Sequence, residues 1–291
     1  MGYVTTWTYD GFGAVLSETD FASPIATAGI VAGGNLPSLP AASAADRGTT
    51  YTYDQQGRKL SESVLRDYTD AAGNPVHGYV TTTYTYDNDN HVTSITEGGR
   101  TITTTYDAMG RVVTITAPAE RVLVANWKAL LAANPSWDLT TDALYTTAAQ
   151  VVTYGYDGFG NKTQQTQSST AGGPTQTTWY RYDDADRLVA TVAPTNGGNP
   201  DWTSTQVVKN TYDGAGNLLQ SVAKSTDLGG DGSVVTLTTT NIYDDTNHLI
   251  STSVVRSNGT DADTVTTSTY NAFGEVVSTG NGVSTKSTSV Y

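Results

Sequence analysis

The sequence has no cysteine, few charged residues and no long apolar run, and each of these absences removes a class of protein. Without cysteine the chain can form neither disulfides nor thiolate metal sites. Charged residues make up 15%, and the net charge is 15 − 28 = −13. Nucleic-acid binding needs clustered Lys and Arg, which this sequence lacks. No apolar run approaches the roughly 20 residues that a membrane-spanning helix requires, so no membrane span is expected.

Sequence signatures of catalysis are also missing. There is no phosphate-binding loop, no Gly-x-Ser-x-Gly elbow and no His-Glu-x-x-His zinc motif. The sequence therefore predicts a protein that is not an enzyme and that has no catalytic or cofactor-binding residues.

A repeated motif, Tyr-Asp followed by two variable residues, Gly and a polar residue, dominates the sequence. Its clearest copy is Tyr156-Asp157-Gly158-Phe159-Gly160-Asn161. Its Tyr-Asp pairs are Tyr9-Asp10, Tyr53-Asp54, Tyr86-Asp87, Tyr106-Asp107, Tyr156-Asp157, Tyr182-Asp183, Tyr212-Asp213 and Tyr243-Asp244, with Tyr270-Asn271 as a variant. Together with a composition rich in Thr, Tyr and Val, this repetition predicts an all-β repeat protein.

The fourth residue after each Tyr indicates the local structure. These residues are Gly13, Gly57, Asn90, Gly110, Gly160, Asp186, Gly216, Asn247 and Gly274. Gly, Asn and Asp are the residues that best tolerate a positive φ. The motif is therefore predicted to be a three-residue hairpin loop, a type I turn closed by a left-handed residue, in which the Asp accepts hydrogen bonds from turn amides.

This loop also predicts which residues face each other across the hairpin. The fifth residue after the Tyr should face the Asp, as in Asp54 with Arg58 and Asp87 with His91. The variant Asn271 would face Glu275, which avoids opposing two carboxylates. The sixth residue, usually aliphatic, should face the Tyr. Because a catalytic pair is needed once and a turn former at every turn, the repeated Asp residues are interpreted as structural.

The chain is expected to form a single YD-repeat β domain over residues 1–291, with two insertions. Residues 21–48 are rich in Ala, Gly and Pro and are predicted to be an inserted loop. Residues 117–149 are predicted to be helical, with an amphipathic helix from Pro118 to Asn134 and a shorter helix from Asp142 to Gln150. The repeat is cut off at both ends of the sequence, as expected for an internal fragment of a longer chain.

The motif recurs about every 20 to 30 residues and resembles the YD repeat of the RHS family, over nearly the whole chain. That family includes bacterial RHS proteins, the B and C components of Tc toxins, and teneurins. The resemblance implies β-hairpins that spiral into a hollow shell. Whether this segment closes a cavity or forms only a strip of the wall stays open. It further implies a secreted or surface protein of bacterial origin, which in toxin members encloses a C-terminal toxic domain. The family's autoproteolytic core motif has no match here.

Other candidate sites have simpler structural interpretations. Asp227 and Asp231 have a spacing loosely like that of a calcium loop, but the distal acidic ligand is missing, so a plain Gly-rich turn is the stronger interpretation. Trp7, Trp179 and Trp202 could stack on sugars, although aromatic packing on the sheet is the stronger interpretation. The three His residues are interpreted as pairing residues and not as ligands or bases. Apolar residues in mid-turn are expected to pack between successive hairpins. They are Phe12, Met109, Phe159 and Phe273.

Two functions remain open from the sequence. The first is a structural segment of a secreted or surface RHS-type protein, forming part of a β-shell around a toxic cargo or a rigid stalk. The alternative is an adhesin or carbohydrate- or protein-binding module that uses its inserted loops on the repeat scaffold. Expected partners are the rest of a parent chain, an enclosed C-terminal toxin domain, and a glycan or cell-surface protein.

Overall fold

The computed structural model describes residues 2–26, 38–70, 72–124, 126–195, 199–203, 207–226, 234–257 and 263–284. Contacts divide the chain into two units, Met1–Gln150 and Val151–Tyr291. Both units are built from antiparallel strands, which confirms the all-β class. Within the described ranges, no helix is long and apolar enough to span a membrane.

The first unit is a meander of eight strands in which each strand pairs with the next. The strands are β1 (Thr5–Tyr9), β2 (Val15–Asp20), β3 (Arg47–Tyr53), β4 (Lys59–Thr69), β5 (Pro75–Tyr86), β6 (Val92–Glu97), β7 (Arg100–Tyr106) and β8 (Val112–Thr116). Along β5 the residues alternate between exposed and half-buried from end to end, as expected for a strand whose two faces differ. Successive residues of β5 thus lie on opposite faces of the sheet.

The insertion that follows β8 contains less helix than the sequence predicts. It consists of β9 (Glu120–Leu123), α1 (Trp127–Ala133), a 3₁₀ turn (Asp142–Leu144) and β10 (Tyr145–Ala148). The predicted helix from Pro118 to Asn134 is therefore wrong over its first half, and the predicted helix from Asp142 to Gln150 is wrong beyond its first turn.

Pairing between the two ends of this insertion explains the difference. β9 and β10 form an antiparallel ribbon in which Leu123 faces Tyr145. The Arg121 guanidinium lies 3.8 Å from the centre of the Tyr145 ring and forms an ion pair with Asp142 at 2.6 Å. These contacts join residues far apart in sequence, and they outweigh a helical pattern of local origin. Leu144, at the end of the 3₁₀ turn, is fully buried.

The insertion at 21–48 is partly described, since residues 27–37 lie outside the described ranges. Its described flanks contact Gly2, which precedes β1, and each other. Gly2 and Ile25 form an antiparallel bridge, and buried Asp46 accepts hydrogen bonds from the amides of Ala22 (2.9 Å) and Ser43 (2.8 Å). A buried carboxylate requires such partners, so Asp46 fixes the point where the insertion returns to β3.

The second unit is also an antiparallel meander, and the pairings of its strands from β12 onward run in chain order. Its strands are β11 (Gln150–Tyr156), β12 (Lys162–Ser169), β13 (Gln176–Tyr182), β14 (Leu188–Thr195), β15 (Val207–Tyr212), β16 (Leu218–Thr226), β17 (Val234–Tyr243), β18 (Leu249–Arg256), β19 (Asp263–Tyr270) and β20 (Val276–Ser284). Ala190, Val192 and Val207 form a small buried cluster, and Trp179 and Trp202 pack against it.

Candidate functional site: the repeated hairpin turns

Each Tyr-Asp motif forms the same turn. In the copy at Tyr106, the Asp107 amide donates to the Arg111 carbonyl (2.9 Å) and the Gly110 amide donates to the Asp107 carbonyl (3.0 Å). The pairing then shifts by one residue, so that Tyr106 faces Val112. This is a type I turn followed by a bulge, the loop that the sequence predicts.

The fourth residue has a positive φ in every copy of the motif. The values are Gly13 87°, Gly57 79°, Asn90 69°, Gly110 76°, Gly160 98°, Asp186 58°, Gly216 95°, Asn247 65° and Gly274 77°. Asn90, Asp186 and Asn247 are the described non-glycine residues with positive φ. The positive φ agrees with the sequence prediction. Glycine, which has no side chain, and residues with a short polar side chain tolerate this backbone conformation best.

The Asp of the motif organises the turn through one carboxylate oxygen. Asp107 Oδ1 accepts hydrogen bonds from the amides of Met109 (2.9 Å) and Arg111 (3.0 Å). Asn271 makes the same two bonds to Phe273 and Glu275 with its amide oxygen. The position therefore needs an acceptor oxygen and not a negative charge, which supports a structural role for these residues.

A further copy of the turn lacks the Tyr. Asp70 Oδ1 accepts from the amides of Ala72 and Asn74, both at 2.9 Å, and Gly73 has φ 87°. Thr69 occupies the position of the Tyr and faces Pro75. Sequence reasoning identified a turn here but not this equivalence. The string Asp-x-x-Gly-Asn carries the signal, and the Tyr is dispensable for the turn itself.

These hydrogen bonds lower the pKa of the carboxyl groups of Asp54, Asp183 and Asp244. The backbone amide of Arg58 is the main cause at Asp54, and the Arg187 guanidinium is the main cause at Asp183. At Asp244 the Thr246 hydroxyl contributes most, followed by the His248 amide, and the pKa falls to about 2. All of these interactions favour the charged form of the carboxyl group.

We therefore expect the protein to lose stability in acid. A folded-state pKa below the unfolded value of about 3.9 gives stability that is complete above that value. The stability disappears as the pH falls through the folded-state pKa, towards about 2 for Asp244. Urea midpoints at a series of pH values between about 7 and 2 should be flat near neutrality and fall below about 4.

Asp244→Asn provides the control, since Asn271 shows that an amide fits the same turn. The variant should have a shallower acid dependence than the wild type. An unchanged acid profile would contradict the assigned role of this carboxylate.

The fifth residue pairs with the Asp of its own turn. Arg58 Nε donates to Asp54 Oδ2 and Arg111 Nε donates to Asp107 Oδ2, both at 2.7 Å. His91 Nδ1 lies 3.0 Å from Asp87 Oδ2. At the variant copy, Asn271 Nδ2 donates to Glu275 Oε2 at 2.7 Å. These contacts match the cross-hairpin pairs expected from the sequence.

Within each unit, the Tyr hydroxyl joins a hairpin to the one before it. Tyr106 donates to the Val92 carbonyl at 2.9 Å, and Val92 is the sixth residue of the preceding motif. The same bond, from each motif to the sixth residue of its predecessor, recurs along both units. Its members are Tyr53 to Val15, Tyr86 to Lys59, Tyr182 to Lys162, Tyr212 to Leu188, Tyr243 to Leu218 and Tyr270 to Leu249.

The fifth residue also reaches forward to the next turn, which sequence reasoning missed. Arg58 Nη1 donates to the Asp87 carbonyl (3.1 Å) and to Asn90 Oδ1 (2.9 Å). Its guanidinium lies 4.8 Å from the centre of the Tyr86 ring. Arg187 makes the equivalent contacts with Asp213 and Tyr212.

Histidine and asparagine use the same position differently. His91 stacks on Tyr106 and His248 stacks on Tyr270, each with ring centres 4.6 Å apart. Asn161 and Asn217 instead donate to the side chains of Asp186 and Asn247, the fourth residues of the next turns. Successive turns are thus connected by a fifth-residue contact and by a Tyr hydroxyl, which we call the inter-hairpin bonds.

The apolar residues in mid-turn are exposed, which contradicts the expectation that they pack between hairpins. Phe12 is 100% exposed, Phe159 87%, Phe273 89% and Met109 73%. Their amides donate to the carboxylate or amide oxygen inside the turn. That geometry directs the side chain past the end of the sheet, where the neighbouring turns in chain order mostly offer small or polar residues at the same position.

The remaining candidate residues are the two Asp residues of the possible calcium loop, three Trp residues and His77. Asp227 and Asp231 lie outside the described residues, so the calcium site stays a prediction. In the described part of the chain, no group of three or more acidic or His side chains could hold a metal ion. Trp7 is 48% exposed, whereas Trp179 and Trp202 pack against the buried cluster. His77 pairs with Asp67 across β4 and β5 at 2.7 Å.

Comparison with known families identifies part of this pattern. Residues 86–122 match the family model described as RHS Repeat, and the match contains two complete turns, those that follow Tyr86 and Tyr106. The chain carries an RHS repeat. The resemblance drawn from the Tyr-Asp motif is thereby confirmed for residues 86–122, and the other hairpins repeat the turn found there.

Solved structures of Tc toxin proteins resemble the chain at low identity. The crystal structure of TcdB2-TccC3-TEV is 15% identical over 100% of this chain, with a TM-score of 0.31. TcdB2-TccC3 without its hypervariable C-terminal region is 16% identical over 99%, with a TM-score of 0.27. The present chain spans 15% and 16% of the lengths of these chains. Comparison with curated protein sequences gives no significant match.

Proposed function

We propose that this RHS segment is a wall-forming structural element of a larger secreted or surface protein of bacterial origin. The observation that carries the proposal is the series of inter-hairpin bonds. The same Tyr hydroxyl bond recurs from Tyr53 to Tyr106 in the first unit and from Tyr182 to Tyr270 in the second. Such a series stabilises a sheet hairpin by hairpin and needs no ligand.

The way in which the polar side chains are used supports a non-enzymatic role. The motif carboxylates that a catalytic mechanism would need are each engaged by amides of their own turn, as at Asp107 and Asp157. A carboxylate that accepts several backbone hydrogen bonds is held in its charged form and is a poor proton donor. The repeated turns therefore support architecture and not chemistry.

The wall would enclose a cargo carried by the rest of the parent chain, such as a C-terminal toxin domain, or would act as a rigid stalk.

The test uses the complete gene product. Limited proteolysis should leave an enclosed domain intact while the wall is folded. Tyr182→Ala, which removes a hydrogen bond to the Lys162 carbonyl (3.1 Å), should increase cleavage of that domain several-fold.

Phe159→Ala is the matched control, because it also removes an aromatic ring from a turn motif of the second unit, but the Phe159 side chain is 87% exposed. It should leave protection unchanged. If the domain proposed to be enclosed were cleaved equally in the wild type and in Tyr182→Ala, enclosure would be refuted. A rigid stalk would then be the structural role.

A second function, adhesion through a carbohydrate or protein ligand, is favoured by one observation. Phe12, Phe159 and Phe273 are exposed aromatic side chains at turn tips, and exposed aromatics are common at binding surfaces. A glycan array and a cell-binding assay with the triple Ser variant would test it. Binding that disappears in the variant would support adhesion, and no binding by the wild type would oppose it.

A further inference from the structure

Lysine occupies the sixth position of two motifs, where the other motifs have Val or Leu. In the first unit, Lys59 Nζ lies 4.9 Å from the centre of the Tyr84 ring and 5.8 Å from that of the Tyr51 ring. It also donates a hydrogen bond of 2.6 Å to Glu62 Oε2, and this bond raises the pKa of Lys59. The half-buried ammonium group therefore has both a counterion and two aromatic neighbours.

The second unit contains the same arrangement with one change. Lys162 Nζ lies 4.8 Å from the centre of the Tyr180 ring and 5.5 Å from that of the Tyr154 ring. Three residues after this lysine stands Gln165, whose Oε1 accepts a hydrogen bond from Lys162 Nζ at 3.2 Å. An amide thus takes the position of the carboxylate. Among the described residues, Lys162 has no partner in an ion pair.

Strand pairing shows that the two lysine sites are equivalent. Glu62 faces Thr82 across β4 and β5, and Gln165 faces Thr178 across β12 and β13. In each site, a Tyr that contacts the lysine follows that Thr by two residues and lies on the same face of the sheet. The Tyr hydroxyl of the next motif bonds the lysine carbonyl in both sites. The two sites consequently differ in the charge of one side chain.

This difference leaves the second site with donors that lack an acceptor. An ammonium group has three N–H donors, and the bond to Gln165 uses one of them. Because Lys162 can only donate, Gln165 presents its oxygen to the lysine, and its NH₂ group adds two more donors. A half-buried ammonium group is more stable beside an anion than beside a neutral amide. The arrangement therefore favours an anionic ligand.

The carboxylates of the two flanking turns are committed to their own turns. Asp157 Oδ1 accepts hydrogen bonds from the amides of Phe159 and Asn161. Asp183 Oδ1 accepts from two amides of its turn in the same way, and its Oδ2 pairs with Arg187 at 2.7 Å. The counterion of Lys162 must therefore come from another source than these turns.

We propose that Lys162, Tyr154 and Tyr180 bind the carboxylate of a glutamate side chain from an acidic peptide segment. Lys162 would bond the carboxylate, the Gln165 NH₂ group would donate to it, and the two rings would pack against the methylene groups of the ligand. Glu62 indicates the ligand, because it is a glutamate side chain bound to the equivalent lysine. The site is independent of the wall role, since the inter-hairpin bond uses the Lys162 carbonyl and not its side chain.

An NMR titration of the 291-residue chain with isotope-labelled lysine tests the proposal. The probe is the peptide acetyl-Gly-Glu-Gly-amide, and acetyl-Gly-Gln-Gly-amide is its neutral control. We expect the Lys162 Cε signal to shift saturably with the Glu peptide only, and the Lys59 signal to stay unchanged because Glu62 already pairs with it. No Lys162 shift, or an equal shift with the Gln peptide, would overturn the proposal. Tighter binding of acetate than of the Glu peptide would refute a peptide ligand.

Exchanging the residue that differs between the sites should move the binding. Gln165→Glu supplies a carboxylate to Lys162 and should weaken binding of the Glu peptide about tenfold. Glu62→Gln should create a second site, seen as a saturable shift of the Lys59 signal. Lys162→Leu should abolish binding at the original site, and Leu188 shows that Leu fits the sixth position.

The far-ultraviolet circular dichroism of all three variants should match the wild type. Equal binding by the wild type and Gln165→Glu, or the absence of a second site in Glu62→Gln, would contradict the assignment.

Discussion

Replacing Tyr106 with Ala is expected to lower the free energy of unfolding by about 3 kcal/mol. The change removes three contacts at once. They are the hydroxyl bond to the Val92 carbonyl at 2.9 Å, the stacking of His91 on the ring at 4.6 Å, and the cross-strand pair with Val112. A fully buried aromatic would cost more, but Tyr106 is half-buried. Urea denaturation followed by circular dichroism measures the loss.

Two further variants divide this effect among its causes. Tyr106→Phe keeps the ring and loses only the hydroxyl bond, so its cost should be about 1 kcal/mol. Tyr9→Ala should cost less than about 1 kcal/mol, because its hydroxyl has no hydrogen-bond partner among the described residues and its ring is 56% exposed. A cost for Tyr9→Ala equal to that of Tyr106→Ala would show that the inter-hairpin bonds contribute nothing.

Hydrogen exchange shows where the stability is lost. Because a repeat interacts mainly with its neighbours, Tyr106→Ala should accelerate exchange of amides in β6 and β7 more than in β18 and β19. If amide exchange were accelerated equally in all four strands, the hairpins would unfold together as one cooperative unit, which would contradict local coupling between neighbouring hairpins.

Replacing Gly110 with Ala is expected to cost about 2–3 kcal/mol, of which about 1–2 arises from the positive φ alone. Gly110 has φ +76°, and an added Cβ would lie 2.8 Å from His91 Nε2. The imidazole must therefore move, which disturbs its stacking on Tyr106. Thermal and urea unfolding of the variant measure both effects together.

Glycines in another turn separate the two causes. Gly216→Ala introduces the same strain at φ +95° but meets no atom within 4 Å, so it should cost about 1–2 kcal/mol. Gly214, two residues earlier, has no positive φ and equally open surroundings, so Gly214→Ala should leave stability unchanged within about 0.5 kcal/mol.

The His91→Ala background completes the test. In that background, Gly110→Ala should cost no more than Gly216→Ala, because the ring that the new Cβ meets is gone. If Gly214→Ala were as costly as Gly216→Ala, the argument from positive φ would fail.

The turns could be predicted from the sequence because everything that determines them is local. The motif residues bond to amides two and four positions later, as Asp107 does to Met109 and Arg111, and the left-handed position admits few residue types. The register follows from the turn, so Tyr106 opposite Val112 could also be predicted.

Contacts between hairpins were less predictable. Arg58 was expected to pair with Asp54, and it does, but its bonds to Asp87 and Asn90 join residues about 30 positions apart. One signal was available in the sequence. His91 and His248, which stack on the next Tyr, are each followed by a Gly at the fourth position of the next motif, where the imidazole leaves no room for a Cβ.

The strand class, the turn at each Tyr-Asp motif and the residues that face each other across a hairpin could all be derived from the sequence. The tertiary structure decided the rest. Glu120–Leu123 became a strand because Tyr145–Ala148 lies beside it, and the turn-tip residues Phe12 and Phe159 stayed exposed because no described neighbour covers them. The division has a physical reason: a hydrogen bond across a short loop is fixed by the loop, whereas a contact between distant segments depends on which partner the whole fold supplies.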